Sequence, residues 1–125
     1  MADCHNGKSC VEGVECGMTL VYIASPFSGD TEKHTKMAQD YCRRALEYHC
    51  VPIAPHLHYP QFMNDDNAIE RALGLKFALL LLGKCDELWV FGDALSNGMT
   101  QELAEAMWRG MPIKYFDSQG NEVTK

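Results

Sequence analysis

Thr19 to Ala24 (TLVYIA) is short, β-branched and almost wholly apolar, and Leu88 to Phe91 is a second run of the same kind. Such runs, with no polar alternation, predict central strands of a parallel sheet, buried on both faces. Val51 to Ala54, closed by Pro55, and Ile113 to Phe116, after the stop Gly110-Met111-Pro112, predict two more strands. Between the first two strands the period changes. His34, Met37, Ala38, Tyr41, Cys42, Ala45 and Leu46 recur at three- and four-residue spacing, with charged Glu32, Lys33, Lys36, Asp40, Arg43, Arg44 and Glu47 opposite. That pattern predicts a helix with one buried face, capped by Asp30. Ala68 to Leu82 predicts a second helix, apolar around most of its circumference and ended by Gly83. A third follows Phe91 through a loop with Ser96 and Gly98, and holds Glu102 in its opening turn. His56 to Asn67 predicts a long aromatic loop, Met1 to Gly17 a flexible leader, and Asp117 to Lys125 a polar tail.

Strands alternating with helices predict an α/β fold with a parallel sheet of four to five strands covered on both faces. The expected strand order is 2-1-3-4, with a switch point between the first and third strands. The loops after Ala24 and after Phe91 then meet at one crevice, where ligands of open parallel sheets bind.

Composition narrows the function. A chain of 125 residues supports one core, here expected over residues 18–117. The net charge is −6 and no basic run stands out, which argues against a polynucleotide partner. A small nucleotide held by backbone amides remains compatible with that charge. No apolar run approaches the ~18–20 residues that span a bilayer. The N-terminus lacks the basic-then-apolar pattern of a signal peptide, so a cytoplasmic location and reduced thiols are expected. Cys4, Cys10 and Cys16 recur with five residues between them, wider than the usual spacing of structural zinc ligands. Neither the phosphate-binding P-loop nor the dinucleotide glycine motif occurs, so no cofactor is expected.

The candidate chemistry is Ser-x-Gly-x-x-x-Glu, Ser96 to Glu102, past a strand end. A helix N-terminus there offers free amides and partial positive charge to an anion. Ser96 with the amides of Asn97, Gly98 and Met99 can hold a phosphate or a sugar hydroxyl, and Ser25, Ser28 and Gly29 can add donors from the first strand's loop. Equally, Ser96 can be a plain helix cap and Glu102 an acid that complements the helix dipole. Tyr22 can orient Glu102 from the first strand, or be core. A carboxylate so oriented can attack an anomeric carbon, as in retaining glycosidases. His56 and His58 suit stacking or hydrogen bonding to a ligand better than metal, since no Cys or carboxylate completes a ligand set; a packed loop histidine is the alternative. Asp65 and Asp66 lack the spacing of a calcium loop, and Asp86 stands at the wrong end of its strand for catalysis.

VYIASPFSGD at 21–30, followed by SNGMTQELAEA at 96–106, resembles the nucleoside 2-deoxyribosyltransferase-like superfamily, which includes deoxynucleoside monophosphate N-glycosidases. PIAPH at 52–56 and CDELWVFG at 85–92 look like an uncharacterised bacterial and phage subgroup. The likeness spans about residues 19–116. It implies a flavodoxin-like sheet, dimers or larger oligomers that complete one another's sites, and a small nucleoside or nucleotide substrate. It puts Glu102 at the nucleophile that attacks C1′, Tyr22 at its supporting phenol, and Ser96 at the serine that contacts a 5′-phosphate. Two positions depart. Ala78 stands where the family has the aspartate that manages the leaving base, and Ser28 where monophosphate glycosidases carry an arginine. His56, His58 or Asp93 are the candidates to replace that aspartate.

Overall fold

The computed structural model describes residues 18–27, 29–64 and 66–124; the expectations for Met1 to Gly17, Ser28 and Asp65 lie outside them. The chain runs β1 (Leu20–Ala24), α1 (Thr31–Glu47), β2 (Val51–Ile53), α2 (Pro55–His58), a 3-10 turn (Tyr59–Gln61), α3 (Ala68–Leu82), β3 (Glu87–Phe91), α4 (Asn97–Arg109), β4 (Ile113–Phe116) and β5 (Glu122–Val123). The sheet order is β2-β1-β3-β4-β5. The first four strands are parallel and β5 is antiparallel to β4. This is the expected three-layer α/β architecture, with its switch point between β1 and β3.

Strand alternation divides the core. Tyr22, Ala24, Leu88 and Val90 pack on one face with Ala78 and Leu82 of α3 and Met99 and Ala106 of α4. Val21, Ile23, Trp89 and Phe91 face the other way, onto Tyr41 and Ala45 of α1. There Tyr41, Phe91 and Phe116 stack nearly parallel, with ring centroids 4.2 and 4.4 Å apart. Both helices that matter for the site therefore cover the Tyr22 face.

Each long helix starts on a side-chain cap. Asp30 accepts from the amide of Lys33, Asn67 from those of Ile69 and Glu70, and Ser96 from that of Met99. Satisfying these otherwise unpaired amides fixes where each helix begins. Asp86 ties two strands together: its carboxylate accepts the amide of Leu20 at 2.8 Å, and its own amide donates to the Leu20 carbonyl.

Two stretches differ from expectation. Residues 55–61, read as loop, form a helical turn and a 3-10 turn, because Pro55 sits at the first helical position with its φ already set. Four residues are too few to show a helical period. The stretch read as a polar tail contains β5. The carboxylate of Asp117 accepts the amides of Gln119 and Asn121, and Gly120 takes a left-handed φ of 86°, which reverses the chain onto β4. Leu46, placed on the buried face of α1, is exposed.

Candidate functional site

β1, β3 and α4 bring the two sequence candidates into contact. The Tyr22 phenol, on the α3/α4 face of the sheet, donates a hydrogen bond to Oε2 of Glu102. Ser96 fixes the start of α4, so Glu102 falls one and a half turns in, beyond the opening turn expected for it, and meets the phenol in the middle of β1. Burial raises the Glu102 carboxyl and outweighs the Tyr22 hydrogen bond, which lowers it; together they leave it at about 7. Burial first, then the adjacent Glu102 charge, drives the Tyr22 phenol well above its ordinary range, so it stays a donor. The pair is a buried carboxyl group held by a phenol that stays a hydrogen-bond donor.

It lines a cleft of about 520 Å³. The opening of α4 contributes Ser96, Asn97 and Gly98 to the wall. The Ser96 hydroxyl caps the helix by accepting the Met99 amide at 3.2 Å, as one reading of it required. A hydroxyl also carries one donor proton, which that bond does not consume. The amides of Asn97 and Gly98 precede the first backbone bond within α4, from Thr100 to Ser96. A Cβ built on Gly98 would meet nothing within 4 Å, so the backbone there is open to a ligand.

The end of β1 supplies Ser25 and Phe27, and α2 supplies Pro55 and His56. Ser25 Oγ and His56 Nε2 are 2.8 Å apart, and the imidazole edge meets the Phe27 ring at 6.1 Å between centroids. Burial lowers His56 to about 4, leaving a neutral imidazole. Sheet register explains the pairing: Leu20 stands opposite Val51 and Tyr22 opposite Ile53, and the same offset carried past the strands sets Ser25 across from His56.

Other expectations fall elsewhere. Gly29 is exposed with a left-handed φ of 91° and is not part of the cleft wall. Asp93 is also exposed and off the wall; its charge acts on Tyr41, on the α1 side of the sheet. His58 packs against Tyr59 and Phe62 instead of facing the cleft. Among the described residues no three His, Cys, Asp or Glu side chains gather as metal ligands would. Ala78 does line the wall, nearly buried against the cluster that holds Tyr22. Sequence reading missed Tyr59, Asn64, Glu70 and Arg71, which close the far end of the cleft. Their one visible signal was the Asn67 cap, which starts α3 directly after the loop and turns Glu70 back to accept the Asn64 amide at 2.8 Å.

Structural comparison finds the same fold in a 2-deoxyribosyltransferase from the psychrotolerant bacterium Bacillus psychrosaccharolyticus, at a TM-score of 0.60 and 21% identity, covering 84% of this chain and 77% of that one. A conserved protein from Enterococcus faecalis V583 superposes at a TM-score of 0.55 and 20% identity, over 79% of this chain and 63% of its own. At such identities the likeness is one of fold. No curated protein matches the sequence. Residues 19–116, from the start of β1 to the end of β4 and with them every described wall of the cleft, match the family described as domain of unknown function DUF7768, and the chain belongs to that family.

Proposed function

We propose that this protein cleaves the N-glycosidic bond of a (deoxy)nucleoside 5′-monophosphate-like substrate, as an N-glycosidase or 2-deoxyribosyltransferase. The single observation that carries the reading is the Tyr22–Glu102 hydrogen bond inside the cleft, one helical turn from the open amides of Asn97 and Gly98. The phosphate sits on those amides with the Ser96 hydroxyl, where the α4 dipole favours an anion. The sugar then lies over Glu102. Its ionised carboxylate attacks C1′, the base leaves, and a glycosyl ester forms. Water or a second base resolves that ester, giving hydrolysis or transfer. Tyr22 keeps the carboxylate aimed and stabilises its charge before attack. The fold shared with a 2-deoxyribosyltransferase supports the same reaction class.

We read the enzyme as a cytoplasmic homodimer. Ile69 and Leu80 of α3 and Trp108 of α4 are largely exposed, apolar side chains that a second copy would cover.

Ala78 favours a second reading. With an apolar side chain on the wall where the resembling enzymes carry an aspartate, the cleft is also suited to a nucleotide-binding module without turnover.

A panel of deoxynucleoside 5′-monophosphates separates the two. Catalysis predicts free base released by wild type and none by Glu102→Ala. A binding module predicts nucleotide-dependent thermal stabilisation in both proteins and no base from either.

A further inference from the structure

We infer that this cleft prefers nucleotides whose base already carries a positive charge, with Glu70 as the carboxylate that selects them. Such a base is a quaternised ring, an N7-alkylated purine or a pyridinium. The inference rests on Glu102 as the nucleophile and goes on to name the class of leaving group that suits it.

The wall holds no group ready to give a full proton. Among the described residues, its titratable side chains are Tyr22, His56, Tyr59, Glu70, Arg71 and Glu102. Glu102 must be ionised to attack C1′. The Tyr22 phenol is committed to Glu102 and keeps its proton. His56 is buried and neutral, with no surplus proton to give. Tyr59 is packed edge-on against Phe62 and Phe77. Arg71 ends in a guanidinium, a donor of hydrogen bonds and not of protons. Glu70 acts as an acceptor, taking the Asn64 amide at 2.8 Å. A neutral base that leaves such a site departs as an anion, without acid help worth about 10²–10⁴-fold. A cationic ring departs as a neutral molecule and needs no proton.

The charges on the wall favour the same ligand. In the proposed reaction the phosphate and sugar lie along α4, which leaves the end of the cleft against α3 to the base. Glu70 stands there, half-buried, and a carboxylate that accepts one amide keeps lone pairs for a further partner. Arg71 shares that end, but its side chain is exposed, so solvent screens its charge more than that of Glu70. The rings of Phe27 and Tyr59 line the same cleft, and an aromatic face attracts a cation. An anionic phosphate on the amides of α4 and a cationic ring toward Glu70 thus match the two ends in sign.

The step then needs no acid. A bond forms from a Glu102 oxygen to C1′, and the C1′–N bond breaks with its electron pair on the ring nitrogen, which cancels the positive charge. The base leaves neutral. Water attacks C1′ of the glycosyl ester, its oxygen bonding to C1′ as the Glu102 carboxylate is released, and its proton passes to solvent. Net, one water is consumed, and neutral base, sugar phosphate and one proton are formed.

The first measurement uses wild type alone. Base release is timed from 2′-deoxyguanosine 5′-monophosphate and from its N7-methylated form, each divided by its uncatalysed rate, because methylation labilises the bond by itself. The acceleration is expected to be on the order of 10²-fold greater for the methylated compound, the scale of the acid help that the neutral one lacks. Equal acceleration of the two overturns the inference and leaves Glu102 as nucleophile; no base from either overturns both. The second measurement reads the selection in binding, in a Glu102→Ala background that does not turn over. Its probes are the 2′-deoxyribose 5′-phosphates of nicotinamide and of benzamide, one shape with and without the ring charge. The nicotinamide compound is expected to bind about three- to fivefold more tightly, the scale of one partly screened charge pair. Glu70→Gln, which keeps an acceptor for the Asn64 amide, should bring the two affinities together. Equal affinities before that substitution, or a preference that survives it, overturn the inference. If the doubly substituted protein does not fold, the wild-type rates decide.

Discussion

Burial of Glu102 next to the Tyr22 phenol ties both the proposed activity and the stability of the fold to its ionisation. An attacking carboxylate must be charged, so kcat/KM is expected to rise with pH through an acid limb near 7. Tyr22→Phe removes the hydrogen bond that lowers Glu102, and should move that limb to higher pH while slowing the reaction by about 10–10²-fold. An unmoved limb would mean that the phenol does not hold the carboxylate. Stability runs the opposite way. An unfolded glutamate ionises near 4.5, whereas folded Glu102 keeps its proton to about 7. Between those values the folded state binds more protons, so stability falls as pH rises through that window. Glu102→Gln escapes the penalty. It should match wild type below about pH 4.5 and exceed it by on the order of 3 kcal/mol at pH 8, read from urea midpoints at each pH.

The helices carry the next set of expectations, and they show what a sequence reveals. At the start of α4, Gly98→Ala adds a methyl that meets nothing in the protein and improves helix propensity. The Tm should hold or rise, while nucleotide affinity falls by at least about tenfold if phosphate approaches that backbone, the worth of one charge-assisted hydrogen bond. Unchanged affinity would remove the phosphate from α4. Asn67→Ala should cost ~1 kcal/mol by uncapping α3, and it loosens the end of the cleft that Glu70 closes. The Ser96–Glu102 spacing was legible because cap, glycine and acid lie within two turns of one helix. The Ser25–His56 pair was not, because it depends on the register of β1 on β2, which residue patterns leave open. Asp93, a candidate to replace the missing aspartate, is exposed off the cleft wall, and its charge acts on Tyr41 of α1. β5 escaped notice because two exposed residues, Glu122 and Val123, carry no hydrophobic period; the Asp117 turn makes the strand.

For the whole molecule, alternation predicted a parallel sheet, right-handed crossovers left few topologies, and the expected order 2-1-3-4 is the one observed for the first four strands. The order β2-β1-β3-β4 sets the loops after β1 and β3 side by side, and the site is the consequence. Self-association is the expectation at this scale. If the α3/α4 surface pairs two copies, Leu80→Arg with Trp108→Arg should convert a dimer to a monomer in light scattering with no loss of secondary structure. Wild type that runs as a monomer would leave that surface to another role. The central claim is a covalent bond between the Glu102 carboxylate and C1′ of the sugar. Its most direct test is an acid quench during turnover of a 5-fluorouracil deoxynucleotide, followed by peptide mass mapping. The account predicts an added deoxyribose 5-phosphate on the peptide that contains Glu102, absent from Glu102→Gln; base release with no adduct there, or an adduct on another residue, would contradict it.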